Sequence, residues 1–368
     1  MISIWECVVH GALLPTGRLG RSTSAYPGLR SLLSIQWAPL RIPLHRRLET
    51  LAAFYYSASF LAFGVLASLL LVYLLFTRFC CVSLVYFGWM IWDWNACDRG
   101  GHPSTWVRSW TVWKYFRDYF PITLVKTCDL PPGKNYLLGY HPHGIMCAGA
   151  FGNFATEGTG FSELFPNIRP HLLVLKGQFR FPIHRDLLLS AGICASTPKS
   201  IDFILGAKQQ DKGNAAVLVV GGAIEVLDAH PGSYRLYLSR RKGFVRKALQ
   251  HGASLVPVLS FGENELFVQA SNPEGTLLRR CQAWLTRRLG FAPPIFHGRG
   301  VFQYSYGWLP FRKPVVTVVG APLEVAKIEE PSDEEVDALH ERYTSALSRL
   351  FEDHKDLYAA PGAQLCIA

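Results

Sequence analysis

Tyr136-Leu137-Leu138-Gly139-Tyr140-His141-Pro142-His143-Gly144 is the stretch on which the reading of this chain turns. Tyr136–Tyr140 is nearly continuous in apolar character, as in a central strand covered on both faces. The strand stops at a turn that Pro142 and Gly144 fix. His141 and His143 stand in that turn, one residue apart. Imidazole is the side chain best suited to proton transfer near neutral pH. Open α/β sheets collect their ligands at the carboxyl ends of strands.

Runs of similar character recur downstream, at Leu172–Leu175, Ala216–Val220, Leu255–Ser260 and Val315–Val319. Helical patterns separate them: Ser200–Leu205, Lys242–His251, Thr276–Leu289 and Pro331–Lys355. Ser332 and Glu335 predict a capping box for the last of these. Its Val336, Leu339, Tyr343, Leu347 and Leu350 form one apolar stripe. The alternation predicts an α/β domain with a mainly parallel sheet flanked by helices. Thr276–Leu289 carries Arg279, Arg280, Arg287 and Arg288 beside an apolar face. That pattern suits a helix lying on a membrane surface or an ordinary packed helix with a solvated basic side.

Two further motifs carry chemistry. In Val220-Gly221-Gly222-Ala223-Ile224-Glu225 the glycines allow a tight turn, and Glu225 follows just beyond a strand. Arg240-Arg241-Lys242-Gly243-Phe244-Val245-Arg246 opens a helix with a cluster of positive charge, suited to phosphates. There is no Gly-x-Ser-x-Gly elbow, no P-loop and no Gly-x-Gly-x-x-Gly after a strand. His-x-His at a strand end is also a metal-ligand arrangement. His171, His184, His230, His251 and His297 show no matching ligand spacing, so no metal site is expected. Cys147 is close enough to His143 to be weighed as a nucleophile, although a small cysteine is commonly just packed.

Upstream, the composition changes. Across all 368 residues 49% are hydrophobic and only 17% charged, against roughly 25% charged in an ordinary soluble domain. Thr50–Thr77 has no charged side chain and is long enough to span a bilayer core. Arg78 interrupts it, and Phe79–Trp92 is a second uncharged run. His45, Arg46 and Arg47 precede the pair of runs, and Arg99, Arg108 and Lys114 follow it. Basic flanks prefer the cytoplasmic side, so residues 35–98 are expected to form a membrane-embedded hairpin. Residues 99–368 would then be a cytosol-facing catalytic domain. Residues 1–34, Pro/Gly-punctuated and nearly free of acid, are expected to be a disordered extension. The net charge of +10 suits an anionic membrane or a phosphate-bearing small molecule. Nucleic-acid modules are missing, so no nucleic-acid partner is expected. The nine cysteines form no C-x-x-C pair, which fits a reducing compartment.

His141-Pro142-His143-Gly144, Tyr119-Phe120-Pro121, Gly221-Gly222-x-x-Glu225, Arg241-Lys242-Gly243-Phe244-Val245-Arg246, Ser260-Phe261-Gly262-Glu263-Asn264 and His297-Gly298-Arg299-Gly300 together resemble the type 2 diacylglycerol and monoacylglycerol acyltransferase family. The resemblance runs from about Gln36 to the C-terminus. Trp37-Ala38-Pro39-Leu40, Arg46–Leu51 and the tail through Asp353-His354-Lys355 look like the monoacylglycerol branch. The order of motifs also resembles the wider glycerolipid acyltransferase superfamily. There an Asp follows the His after four residues. Here Met146 and Ala148 occupy that spacing, so Glu225 becomes the candidate acid.

The resemblance implies transfer from acyl-CoA, a co-substrate with no further cofactor, to 2-monoacylglycerol in triacylglycerol synthesis. Diacylglycerol is the alternative acceptor. A metal-dependent lipid hydrolase or a non-catalytic membrane-shaping hairpin protein are readings of other classes. The expected location is the endoplasmic reticulum membrane, with the lipid droplet as an alternative. A homo-oligomer is left open. His141 or His143 would be the general base, oriented by Glu225. Gly144 and Gly222 would hold the oxyanion. Arg241, Lys242 and Arg246 would anchor the coenzyme, and His297 and Arg299 would form a polar acceptor subsite.

Overall fold

The computed structural model describes residues 35–39, 41–207, 212–290 and 292–368. The expected extension at 1–34 lies outside the described residues. The first helix, α1, runs over Leu44–Leu75, with a π-helical stretch at Ser59–Phe63 in its middle. A turn at 76–79 leads into α2, Cys80–Trp92. Ser83 ties the two legs by donating to the Leu71 carbonyl at 2.8 Å. The two uncharged runs thus fall on two packed helices, of which α1 is, among the described residues, the one long and apolar enough to cross a membrane. The pair differs from the expectation in how its first leg is used. The Leu44–Ala58 half buries Ala52, Ala53 and Tyr56 in a cluster shared with Trp113 and Phe116 of α3, Thr111–Tyr119. The opposite face of that half exposes Leu44, Leu51 and Phe54, and the exposed apolar surface continues through Leu66 of α1 and Val85 of α2, 61% and 73% exposed.

The main sheet is built from β1 (Ile122–Lys126), β2 (Tyr136–His141), β3 (Ile168–Val174), β4 (Cys194–Ala195), β5 (Gly213–Val219), β7 (Ser254–Phe261) and β10 (Val315–Val319). Between β3 and β4 lies α4 (His184–Ser190), and between β4 and β5 lies α5 (Pro198–Gly206). The short β6 (Tyr234–Leu236) and α6 (Gly243–His251) precede β7. After it come β8 (Val268–Gln269), α7 (Leu277–Leu289) and β9 (Phe296–His297). The chain closes with α8 (Asp333–Tyr358) and β11 (Leu365–Ile367). The strand order is β1-β10-β7-β2-β5-β3-β4. All pairings in this sheet are parallel except β10 with β7.

Every residue of β2 and β7 is buried, as their unbroken apolar runs require. The five strands read from the sequence are all present. β1 and the two- and three-residue pieces were missed, because an edge strand and a short strand carry too few apolar positions to show a pattern. The predicted capping box at Ser332 and Glu335 is present at the start of α8. All five residues of the predicted stripe are buried, and His340 and Phe351 join them.

Candidate active site

Three neighbouring strands set the site. Tyr140 of β2 stands beside Val219 of β5 and Val258 of β7, all parallel. The segments that follow these strands therefore emerge at one edge of the sheet. They are Pro142-His143-Gly144, Val220-Gly221-Gly222 with Glu225, and Gly262-Glu263. Two distant motifs and a second acid meet because their strands are adjacent.

The two histidines have different surroundings. His141 is fully buried, and burial drives its imidazole down to about 3. Its Nε2 lies 3.0 Å from the Tyr343 hydroxyl of α8. That hydroxyl donates to the Gly139 carbonyl at 3.1 Å, so it accepts from Nε2–H. The His141 Nδ1 is buried and meets no partner among the described residues. His143, by contrast, lines a cavity of ≈ 650 Å³. Its Nδ1 lies 3.0 Å from the Gly144 carbonyl, which fixes the proton on Nδ1 and leaves Nε2 as the acceptor. Burial holds this imidazole below its usual range as well. The Cys147 sulfur lies 3.3 Å from Nδ1 and 3.8 Å from Nε2; a neutral ring with an unprotonated Nε2 is the form that can take a proton.

Glu225 does not reach either ring, contrary to the triad expected from the sequence. Oε1 accepts the backbone N–H of His143 at 2.7 Å and Oε2 accepts that of Tyr237 at 2.9 Å. It positions the turn through the main chain. Burial raises its carboxyl to about 7, against the pull of these two amides. Gly221 lets the carboxylate sit so close, since a Cβ there would overlap it. Glu263, quoted in a motif but given no role, is a second buried acid at the same edge. It accepts from Tyr140 Oη at 2.9 Å, Ala148 N at 2.7 Å and Gly149 N at 2.9 Å. Burial again outweighs the donors and lifts it to about 7. Its signal was available: like Glu225, it follows a strand and a glycine. Gly144, at φ 62°, would place a Cβ 2.6 Å from the Glu263 Cγ. Gly222 lies on the cavity wall with φ 63° and open space around it.

Cys147 also lines the cavity. Its thiol donates to the His143 carbonyl at 3.0 Å. Burial, then the charges of Glu263 and Glu225, push it well above the ordinary thiol range. These causes disfavour the thiolate, which is the nucleophilic form.

The expected coenzyme anchors are divided. Lys242 pairs with Asp337, and Arg246 with Asp333 and the Pro331 carbonyl. Both clamp α6 to the start of α8. Only Arg241 stays exposed, near enough to Glu225 to hold its carboxyl down slightly. His297 and Arg299 are not on the cavity wall. His297 packs on Tyr306 and Phe311, and Arg299 lies 4.2 Å from the Tyr304 ring centroid. The acceptor subsite expected there is displaced because the Gly298–Gly300 loop pairs with Gly307 and Leu309 instead. Among the described residues no three His, Cys, Asp or Glu side chains converge as a metal-ligand set.

The cavity itself is mostly apolar. Tyr55 and Val65 of α1, Leu173 of β3, Leu187 of α4 and Phe296 of β9 contribute to its wall. An imidazole on the wall of an apolar cavity suits a reaction on a lipid. Residues 72–368 match the sequence profile of the family described as diacylglycerol acyltransferase. The chain belongs to the diacylglycerol acyltransferase family.

Its relatives in that family include 2-acylglycerol O-acyltransferase 1 of Bos taurus, 48% identical over 89% of this chain and 98% of that one. Diacylglycerol O-acyltransferase 2 of Danio rerio is 47% identical over 91% and 92%. Among solved structures, the 1-acyl-sn-glycerophosphate acyltransferase of Thermotoga maritima matches 85% of this chain and 98% of its own, with TM-score 0.40 and 11% identity. Family membership makes this protein an O-acyltransferase.

Proposed function

We propose that this acyltransferase moves an acyl group from acyl-CoA to a hydroxyl of 2-monoacylglycerol, with His143 as general base, at the cytosolic face of a membrane holding its hairpin. The observation that carries this reading is the His143 imidazole on an apolar cavity wall, neutral, with its proton on Nδ1 and its Nε2 facing the Cys147 sulfur 3.8 Å away. His141 is the lesser candidate because Tyr343 holds its Nε2 and it does not line the cavity. The lipid hydroxyl gives its proton to His143 Nε2 as its oxygen attacks the thioester carbon. When the tetrahedral centre collapses, the C–S bond breaks and the imidazolium returns the proton to the departing thiolate. Glu225 favours the transient imidazolium by its charge and holds the turn by its two amide bonds. The Gly144 and Gly222 amides are candidates for the oxyanion, and Arg241 for a coenzyme phosphate.

The named activities of the bovine and zebrafish relatives support an acylglycerol as acceptor. Monoacylglycerol is preferred for the resemblance of the Trp37–Leu51 region and the tail. Both relatives cover this chain almost equally, so some diacylglycerol acylation is expected too. The endoplasmic reticulum is the proposed location. The deciding measurement is acyl transfer per folded protein for two variants. His143→Gln should lose about 10²–10⁴-fold in rate. His141→Gln should lower yield and thermal stability more than turnover. Equal turnover losses in both would remove the distinction, and near-normal turnover of His143→Gln would remove the base.

A further inference from the structure

The helix α7 packs the wrong way round for a core helix. Its buried residues are polar: Arg279 and Gln282. Arg279 donates to the Leu227 carbonyl and Asp228 at 2.8 Å each, and Gln282 bonds Asn272 and the Pro293 carbonyl. Its outer face carries Leu277, 77% exposed, and Trp284, 58% exposed, with Cys281 between them. These stand at i, i+4 and i+7, one stripe of an α-helix. Arg280, Arg287 and Arg288 share that face, and none meets an acidic side chain among the described residues. The Arg288 guanidinium lies 6.0 Å from the Trp284 ring centroid. Just beyond the helix, Ile295 is 55% exposed.

A protein partner would have to cover a narrow stripe studded with unpaired arginines. A phospholipid surface meets both needs at once. Trp belongs at the headgroup level, and arginine reaches phosphates while its stem lies on acyl chains. The position supports this occupant. Gly290, Ala292, Pro293 and Pro294, which follow α7 directly, line the same cavity as Tyr55 and Val65 of the hairpin helix. The two elements thus flank one opening.

We infer that α7 is an interfacial helix that docks Leu277, Trp284 and its three arginines on an anionic phospholipid surface, holding the cavity mouth against the membrane that supplies its lipids. This rests on the hairpin being embedded, and the test separates the two. The full-length protein is made with the photoreactive residue p-benzoylphenylalanine in place of Trp284. In separate preparations it replaces Glu334, an exposed residue of α8. Both are reconstituted in vesicles of phosphatidylcholine with or without phosphatidylserine and irradiated. Position 284 should give lipid adducts several-fold above position 334, and more with phosphatidylserine. No excess at 284, or adducts mainly with a second copy of the chain, overturns the inference. Arg287→Glu with Arg288→Glu should bring transfer to membrane-dissolved monoacylglycerol in phosphatidylserine vesicles down to the phosphatidylcholine rate. An unchanged rate overturns the role at the mouth. Release of the whole protein by alkaline carbonate would instead overturn the hairpin reading.

Discussion

Glu225 and His143 are joined through the main chain, and that has consequences for how each responds to substitution. Two backbone N–H groups need two acceptor oxygens, and a carboxylate provides both. Glu225→Gln leaves one amide facing an NH₂ group. The expected loss is about 1–3 kcal/mol of stability, the cost of a buried unsatisfied donor, with activity falling alongside; thermal unfolding in detergent measures it. The pH dependence has a defined sign. Glu225 and Glu263 are both raised to about 7 from 4.5. Between those values the native state holds more protons than the unfolded chain, so the stability these groups contribute is full below pH 4.5 and lost as pH rises through 7. The unfolding temperature of the wild type should fall from pH 5 to pH 8, and Glu225→Gln should flatten the slope; a rise over that interval would contradict the assignment. His143, Glu225 and the Gly221-Gly222 turn were legible in sequence because each stands where an apolar run ends. What the acid bonds was not legible, since spacing says nothing about where a carboxylate points.

At the scale of elements, the site depends on β7, β2 and β5 being neighbours and on α8 gripping them. Tyr343 reaches from α8 to Gly139 and His141, 204 and 202 residues away in the chain. The sequence shows Tyr343 only as part of an apolar stripe. Its hydroxyl's role follows from the crossing of α8 over β2, which no local pattern encodes. Gly139 fits the same contact, as a Cβ there would overlap the hydroxyl. Tyr343→Phe should leave the Gly139 carbonyl and His141 Nε2 without this partner, and lower stability by about 1–3 kcal/mol while turnover per folded molecule stays within a few-fold. A drop as large as that of His143→Gln would place His141 in the chemistry. The basic cluster misled for a related reason. Charge at a helix start reads the same whether it awaits a ligand or, as for Lys242 and Arg246, an acidic helix packed against it.

For the whole molecule, the division of α1 matters most. The part beyond Ser59 is about 25 Å long and α2 about 20 Å at 1.5 Å per residue. α1 as a whole is long and apolar enough to cross a hydrocarbon core of about 30 Å, whereas α2 is not; the basic residues on both flanks of the pair are what predict both ends on the cytosolic side. A C-terminal tag should therefore be digested by protease added to sealed microsomes, and protection of the tag would contradict this topology. The same helix runs unbroken from the catalytic body into the hairpin, and its Ser59, Phe60 and Gly64 form part of the cavity wall. No slack joint separates the two. Embedded helices change their tilt to match the thickness of the surrounding bilayer. Here such a tilt would act as a lever on the reaction chamber itself, making the width of the chamber a gauge of the membrane around it.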